Sequence, residues 1–128
     1  MALKGDRYEL QTDVSYFMNE VAERGGVVVL PTGSTPSGAA MDSALNVVTY
    51  AATPSGLTPI GILLNDMVNL DLTRQHINWH KDEIQKGGKV TVLRKGYVLT
   101  NKISTSGTPV AGAAAYVAES GLISTSGK

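Results

Sequence analysis

The sequence predicts a mainly β protein: a compact barrel or sandwich of short strands and hairpins, with an extended N-terminal arm and at most one short helix. Three observations predict it. Runs of four to six residues rich in β-branched and apolar side chains recur, with turns of Gly, Pro and Ser among them. The chain has 14 Gly among 128 residues, and Ser and Thr fill most other polar positions. Only 17% of residues are charged, against about 25% in ordinary soluble domains. A helical reading competes at two places, around Val14–Val21 and within residues 73–85.

The elements follow in order. Residues 1–24 carry Asp6, Glu9, Asp13, Glu20 and Glu23 against Lys4, Arg7 and Arg24, whereas residues 25–65 contain one charge, Asp42. That contrast sets the N-terminal segment apart as an arm, taken as residues 1–16 ahead of one β-rich domain, residues 17–128. Val14, Phe17, Met18 and Val21 are spaced i, i+3, i+4 and i+7, with Asp13 as a possible N-cap and Gly25 as a stop. A strand there would put Val14, Tyr16 and Met18 on one face, and the two readings stay open. Val27-Val28-Val29-Leu30 lies between Gly25-Gly26 and Pro31 and reads as a buried strand. Residues 32–38, TGSTPSG, are a loop by composition.

Residues 45–50 (LNVVTY) and 59–64 (PIGILL) are the next strands, separated by the turn Thr53-Pro54-Ser55-Gly56. Gly61 inside the second marks a bulge or a close backbone approach. Residues 73–85, TRQHINWHKDEIQ, are polar and read as a helical turn or an extended loop, with the loop favoured. Residues 89–94 (KVTVLR) and 97–101 (YVLTN) flank Lys95-Gly96 and read as a hairpin or a sharply bent strand. Residues 114–118 and 122–125 flank Glu119-Ser120-Gly121 as a further hairpin. Ala113–Ala115 is too short a run between Gly112 and Gly121 to hold a helix. The phrase Ser-Thr-Ser-Gly, at 104–107 and 124–127, is a turn phrase used twice rather than a structural repeat.

A chain of this length buries roughly two-thirds of its unfolded surface and builds one core. Eleven basic and eleven acidic residues cancel, which argues against a nucleic-acid partner. With no Cys, disulfides and thiolate chemistry are excluded. The opening Met-Ala-Leu-Lys-Gly-Asp-Arg lacks the apolar centre of a signal peptide. No stretch approaches the ~20 apolar residues of a membrane span, so no membrane is expected. A neutral Thr/Ser/Gly/Ala surface keeps a free monomer apart from its neighbours poorly; coverage of that surface in an assembly is one explanation, and polar turns of a β protein are the other.

Catalytic patterns are weak. His76 and His80 are spaced i, i+4, but Ile77 stands where a zinc protease carries its general base. Asp82 or Glu83 could complete a metal site, although such a pair is more often a surface feature. No Ser sits in a Gly-x-Ser-x-Gly elbow. Asp66 with Asp71, and Asp82 with Glu83, are carboxylate pairs with nothing around them to raise a pKa. Gly33–Gly38 lacks the Lys-Ser/Thr of a phosphate loop. Lys86, Lys89, Arg94 and Lys95 form a basic stretch beside Tyr97, but seven aromatics in the whole chain are few for stacking bases. No cofactor, metal site or enzymatic activity is expected.

The order of phrases resembles a known family. Val47-Val48-Thr49-Tyr50, a small-residue turn and Pro59-Ile60-Gly61-Ile62-Leu63-Leu64 precede a polar excursion and then Gly87-Gly88-Lys89-Val90-Thr91-Val92-Leu93-Arg94-Lys95-Gly96. With the phrase Thr-Arg-Gln-His-Ile-Asn-Trp-His-Lys-Asp-Glu at 73–83 and the later Gly-bounded hairpin, this resembles the head-decoration, or capsid cement, proteins of tailed bacteriophages. The excursion over 66–86 and the C-terminal hairpin depart from the lambda-like members.

The resemblance implies a virion protein made in the host cytoplasm that binds the major capsid protein on the outside of the expanded head, commonly as a homotrimer. It implies an N-terminal arm that reaches the shell, with Leu3, Tyr8, Leu10, Val14 and Tyr16 as the contacting residues of an added strand. An ordinary first strand is the alternative for the same segment. Ile77, Trp79 and Tyr97 are the expected subunit-interface residues, because exposed aromatics concentrate at interfaces; a core position is the alternative for Trp79. The same composition also suits a tail, baseplate or fibre-associated part. A small hydrolase using His76 or His80 with Asp82 is the third reading.

Overall fold

The computed structural model describes residues 10–31, 47–66, 70–71, 76–77 and 83–126. Within them the protein is mainly β, with no α-helix. Eleven strands occur: β1 (Gln11–Met18), β2 (Ala22–Glu23), β3 (Val27–Leu30), β4 (Val47–Val48), β5 (Thr58–Asp66), β6 (Leu70–Asp71), β7 (His76–Ile77), β8 (Glu83–Ile84), β9 (Lys89–Lys95), β10 (Tyr116–Val117) and β11 (Ile123–Ser124). Five form a mixed sheet in the order β3-β5-β9-β1-β4, in which only β1 and β4 run parallel. Two-strand ribbons pair β2 with β8, β6 with β7 and β10 with β11.

The helical alternative for Val14, Phe17, Met18 and Val21 is not adopted. Residues 11–18 form a strand that pairs with β9 from Gln11↔Lys95 to Phe17↔Lys89. The helix-like spacing has a local cause. Between Asp13↔Val92 and Tyr16↔Val90, β1 spends one residue more than β9 does, so its alternation slips at Val14-Ser15. The Ser15 N–H and hydroxyl both donate to Asp13 Oδ1, the N–H at 2.9 Å. These bonds from Ser15 hold the Asp13 carboxyl below its ordinary value, and Arg94 Nη1, 4.0 Å away, adds to the effect.

Alternation on the other strands builds the core. Val28, Val48, Leu63, Val90, Val92 and Met18 are completely buried on one face, and Ile84 and Ala22 close over them from the β2–β8 ribbon. Burying each such side chain stabilises the fold by about 1.5–3 kcal/mol. The sheet is not closed into a barrel. Its edge strands β3 and β4 nevertheless meet at one bridge, where Val29 N–H donates to Thr49 O (3.0 Å) and Thr49 N–H to Val29 O (3.1 Å). Pro59 stands opposite Val29 across the β3–β5 ladder. Because Val29 directs both backbone groups to Thr49, that position needs no N–H from residue 59. At Gly61 a Cβ would be driven into the backbone of Leu93, so this glycine marks a close approach of β5 to β9.

Tyr50 ties three segments together. Its hydroxyl donates to Glu23 O (2.7 Å) and accepts from Gly26 N–H (3.0 Å). Glu20 Oε1 receives the Tyr50 N–H (2.7 Å) and the Thr49 hydroxyl (2.6 Å). The Tyr50 ring fills a slot between Gly26 and Gly121, and a Cβ on either would lie within 3 Å of it. Gly121 also has φ +76°, next to Ser120 at φ 54°. This is the tight turn of the β10–β11 hairpin expected around Glu119-Ser120-Gly121.

Two sequence expectations are corrected. Residues 97–101 are not a strand and make no hairpin with 89–94. Both edges of β9 are taken, by β5 and β1, so the segment after Gly96 has no free ladder there. It leaves the sheet and is tied elsewhere, Thr100 donating its hydroxyl to Gly25 O (2.7 Å) and Lys102 pairing with Glu23. Within residues 73–85, read as a loop, His76–Ile77 and Glu83–Ile84 are short strands. The described parts of the two Ser-Thr-Ser-Gly phrases, 104–107 and 124–126, also lie side by side. Ile103 and Ile123, which precede them, form a parallel bridge. In each copy the first serine hydroxyl accepts the N–H two residues on, Ser106 to Ser104 (3.4 Å) and Ser126 to Ser124 (3.2 Å).

Candidate functional site: an exposed apolar trough

The segment that leaves the sheet after β9 carries the most exposed apolar run of the described residues. Tyr97 is 79% exposed and Leu99 fully so, with Val98 about two-fifths exposed between them. Gly96 starts the run at φ +145°, a backbone that L side chains rarely adopt. Leu10 packs against Gly96 and is itself largely exposed, extending the apolar surface to the entrance of β1.

Val98 stands between two grooves. One, of about 720 Å³, runs between Leu63, Leu64 and Asn65 of β5 and the chain from Val98 to Asn101, with Arg24 and Gly25 at its side. The other, of about 480 Å³, is floored by Val27, Ile60, Ile62 and Leu93, with Arg94 and Lys95 at its wall. The two grooves share Val98 and together make up one trough beside β5 and β9. Arg94 is half-exposed and reaches Tyr16 Oη (3.5 Å) as well as Asp13. Such a surface offers a binding partner burial of apolar area with flanking positive charge.

The sequence-derived site residues are only partly gathered here. Leu10 and Tyr97 lie at the trough. Val14 and Tyr16 belong to β1, where Val14 is pushed outward by the bulge and Tyr16 packs against the core cluster. Residues 11–16, the last six of the segment read as an arm, therefore belong to the central sheet. Leu3, Tyr8 and Trp79 lie outside the described residues, as do His80 and Asp82. Ile77 and His76 form β7, paired with β6 by Leu70↔Ile77 and Asp71↔His76. Among the described residues no three His, Cys, Asp or Glu side chains converge as metal ligands. No helix there is long and apolar enough to cross a membrane.

Val98, Leu99 and the groove floor were missed by sequence reasoning. The signal was present in YVLT, an apolar run with β propensity, but the run reads as strand until β9 is known to have both edges filled. Comparison with known proteins found no matching family model, no similar curated protein and no similar solved structure.

Proposed function

We propose that the protein is a tailed-phage head-decoration protein that binds the major capsid protein on the outer face of the expanded head, as a homotrimer. The observation that carries this reading is the Tyr97-Val98-Leu99 run: three consecutive exposed apolar residues beside an open apolar trough. A free monomer gains nothing from holding such a surface in water, whereas a partner's surface gains by covering it. The sparsely charged surface and the order of strand phrases in the sequence point the same way.

On this reading the mechanism is mechanical rather than chemical. Packaged DNA pushes outward on the shell, and each junction between shell subunits can open separately. A trimer that contacts several shell subunits joins these weak contacts, so that a contact released in one place re-forms before the others let go. A protein that binds the expanded shell and not its dissociated parts stabilises the shell by mass action. The rigid five-stranded sheet supplies the body of the clamp, and Leu10 with Tyr97–Leu99 supplies the gripping surface. The segment preceding Leu10 would be the arm.

Co-sedimentation of the purified protein with expanded shells and with unexpanded procapsids tests the proposal. Saturable binding to expanded shells alone, at a copy number near that of the shell subunits, is the expected result. Absence of binding to either shell would overturn it. The arm is tested by deleting residues 1–9, which leaves β1 and its ladder with β9 intact; the truncated protein should remain folded and lose shell binding.

A further inference from the structure

We propose that the trough around Val98 is the seat of the chain's own N-terminal segment, residues 1–9, docked along β5 with Tyr8 and Leu3 turned into the grooves. The docking itself stands apart from the decoration reading; its consequence for shell binding rests on that reading.

Position decides the occupant. Residues 1–9 join the described chain at Leu10, and Leu10 sits at the mouth of the trough. A Cβ on Gly96 would run into the Leu10 side chain and lie 3.7 Å from its Cα. Gly96 lines the groove of about 480 Å³, and its neighbour Lys95 pairs with Gln11 at the start of β1. The segment before Leu10 thus begins beside the groove, with no distance to cross. Length agrees with position. The two grooves follow β5 in turn, one lined by Pro59 to Ile62 and the other by Leu63 to Asn65. Because β5 and β9 are antiparallel, with Ile62 opposite Leu93, Gly96 lies toward the Pro59 end, and a segment entering there runs toward Asn65. Over that stretch β5 advances roughly 20 Å, at ~3.3 Å per residue. Nine residues precede Leu10, and fully extended they span about 30 Å. That is enough to occupy both grooves.

Composition suits the place. Tyr8 is two residues before Leu10, so on an extended chain the two side chains face the same way. Arg7 and Glu9 then fall on the opposite side, toward water. Met1 and Leu3 repeat the two-residue spacing beyond Gly5, where a residue without Cβ permits the one-residue slip between the two pairs. Tethering makes a weak contact sufficient. A short connection supplies an effective concentration of about 1 mM, so a segment with a Kd of about 0.1 mM as a free peptide is docked roughly ten times in eleven. On the decoration reading the shell must take the same segment out of the trough, and the free protein keeps its arm folded back until it meets a shell.

The test uses a fluorescein-labelled peptide of residues 1–10, read by fluorescence anisotropy against the full chain and against a full-length Leu3→Asp/Tyr8→Asp variant. Both substitutions precede β1 and leave its ladder with β9 in place. The peptide should bind the variant with a Kd of about 0.1 mM and the wild type at least about tenfold more weakly, because there the trough is already filled. Adding Val98→Asp to the variant should weaken the peptide at least about fivefold with an unchanged circular-dichroism melt. Equal binding to wild type and variant, or binding to neither, would overturn the inference. A wild type that sediments as an oligomer and a variant that sediments as a monomer would place the segment on a second copy, and would overturn docking on its own chain. Absence of peptide binding in a protein that still coats expanded shells removes the docked segment and leaves decoration standing. Peptide binding without shell binding does the reverse.

Discussion

Replacing Tyr50 by Phe removes one oxygen and keeps the ring in its slot between Gly26 and Gly121. Two groups lose their partner: Glu23 O, which accepts the hydroxyl proton at 2.7 Å, and Gly26 N–H, which donates to the hydroxyl at 3.0 Å. Gly26 is buried, so its N–H has no ready access to water. Two lost bonds, one leaving a buried donor unmade, cost about 2 kcal/mol. For a domain of this size that corresponds to a drop of roughly 8 °C in Tm. Urea denaturation followed by circular dichroism should show a lower midpoint with an unchanged slope.

The pH dependence supplies a second readout of the same bond. Burial pushes the Tyr50 hydroxyl up to about 12, above its ordinary value near 10. The folded state therefore holds this proton more firmly than the unfolded state does. The resulting stability is fully present below pH ~10 and is lost as pH rises through about 12. The stability gap between wild type and Tyr50→Phe should narrow across that interval. Spectrophotometric titration should show a late step, near pH 12, that the Tyr50→Phe variant lacks. A Tyr50→Phe variant with the wild-type midpoint, or no late step, would refute the account of Tyr50 as a buried, doubly bonded tie.

Gly121→Ala should cost about 1–3 kcal/mol, because residue 121 has positive φ and an added Cβ meets the Tyr50 ring. Part of that cost should disappear in a Tyr50→Ala background, which a double-mutant cycle in urea would measure. Leu99→Ser should leave stability within about 0.5 kcal/mol, since Leu99 is fully exposed. The same change should weaken shell binding by about tenfold in co-sedimentation, and unchanged binding would remove Leu99 from the contact surface.

Local chemistry was readable in the sequence and long-range pairing was not. Val27–Leu30, the close approach at Gly61 and the hairpin around Ser120 each follow from residues within a few positions of one another, and each stands in the structure. β1 was ambiguous because a bulge interrupts its alternation, and the bulge exists only through its pairing with β9. Residues 97–101 have the composition of a strand, yet the places beside β9 are filled by β5 and by β1, and β1 comes from the start of the chain. The trough was invisible for the same reason: its floor and rim come from β3, β5, β9 and the segment after Gly96, brought together only by the sheet order. The parallel meeting of the two serine phrases was equally hidden, although each phrase forms the local turn its composition suggests.

The strand order also sets a timetable for synthesis. β1 is made early, but its main partner β9 begins at Lys89. At ribosomal rates of about 5–20 residues per second, roughly 4–14 s separate the two. Throughout that interval Val14, Phe17 and Met18 belong to a strand without its ladder, open to the matching strand of another nascent chain. Asp13 within β1 and Glu20, Glu23 and Arg24 just beyond it place charge on both sides of this apolar stretch, where charged gatekeepers oppose such mispairing. Neutralising Asp13 and Glu20 together would then lower the yield of soluble protein from cells more than it lowers the stability of the molecules that do fold.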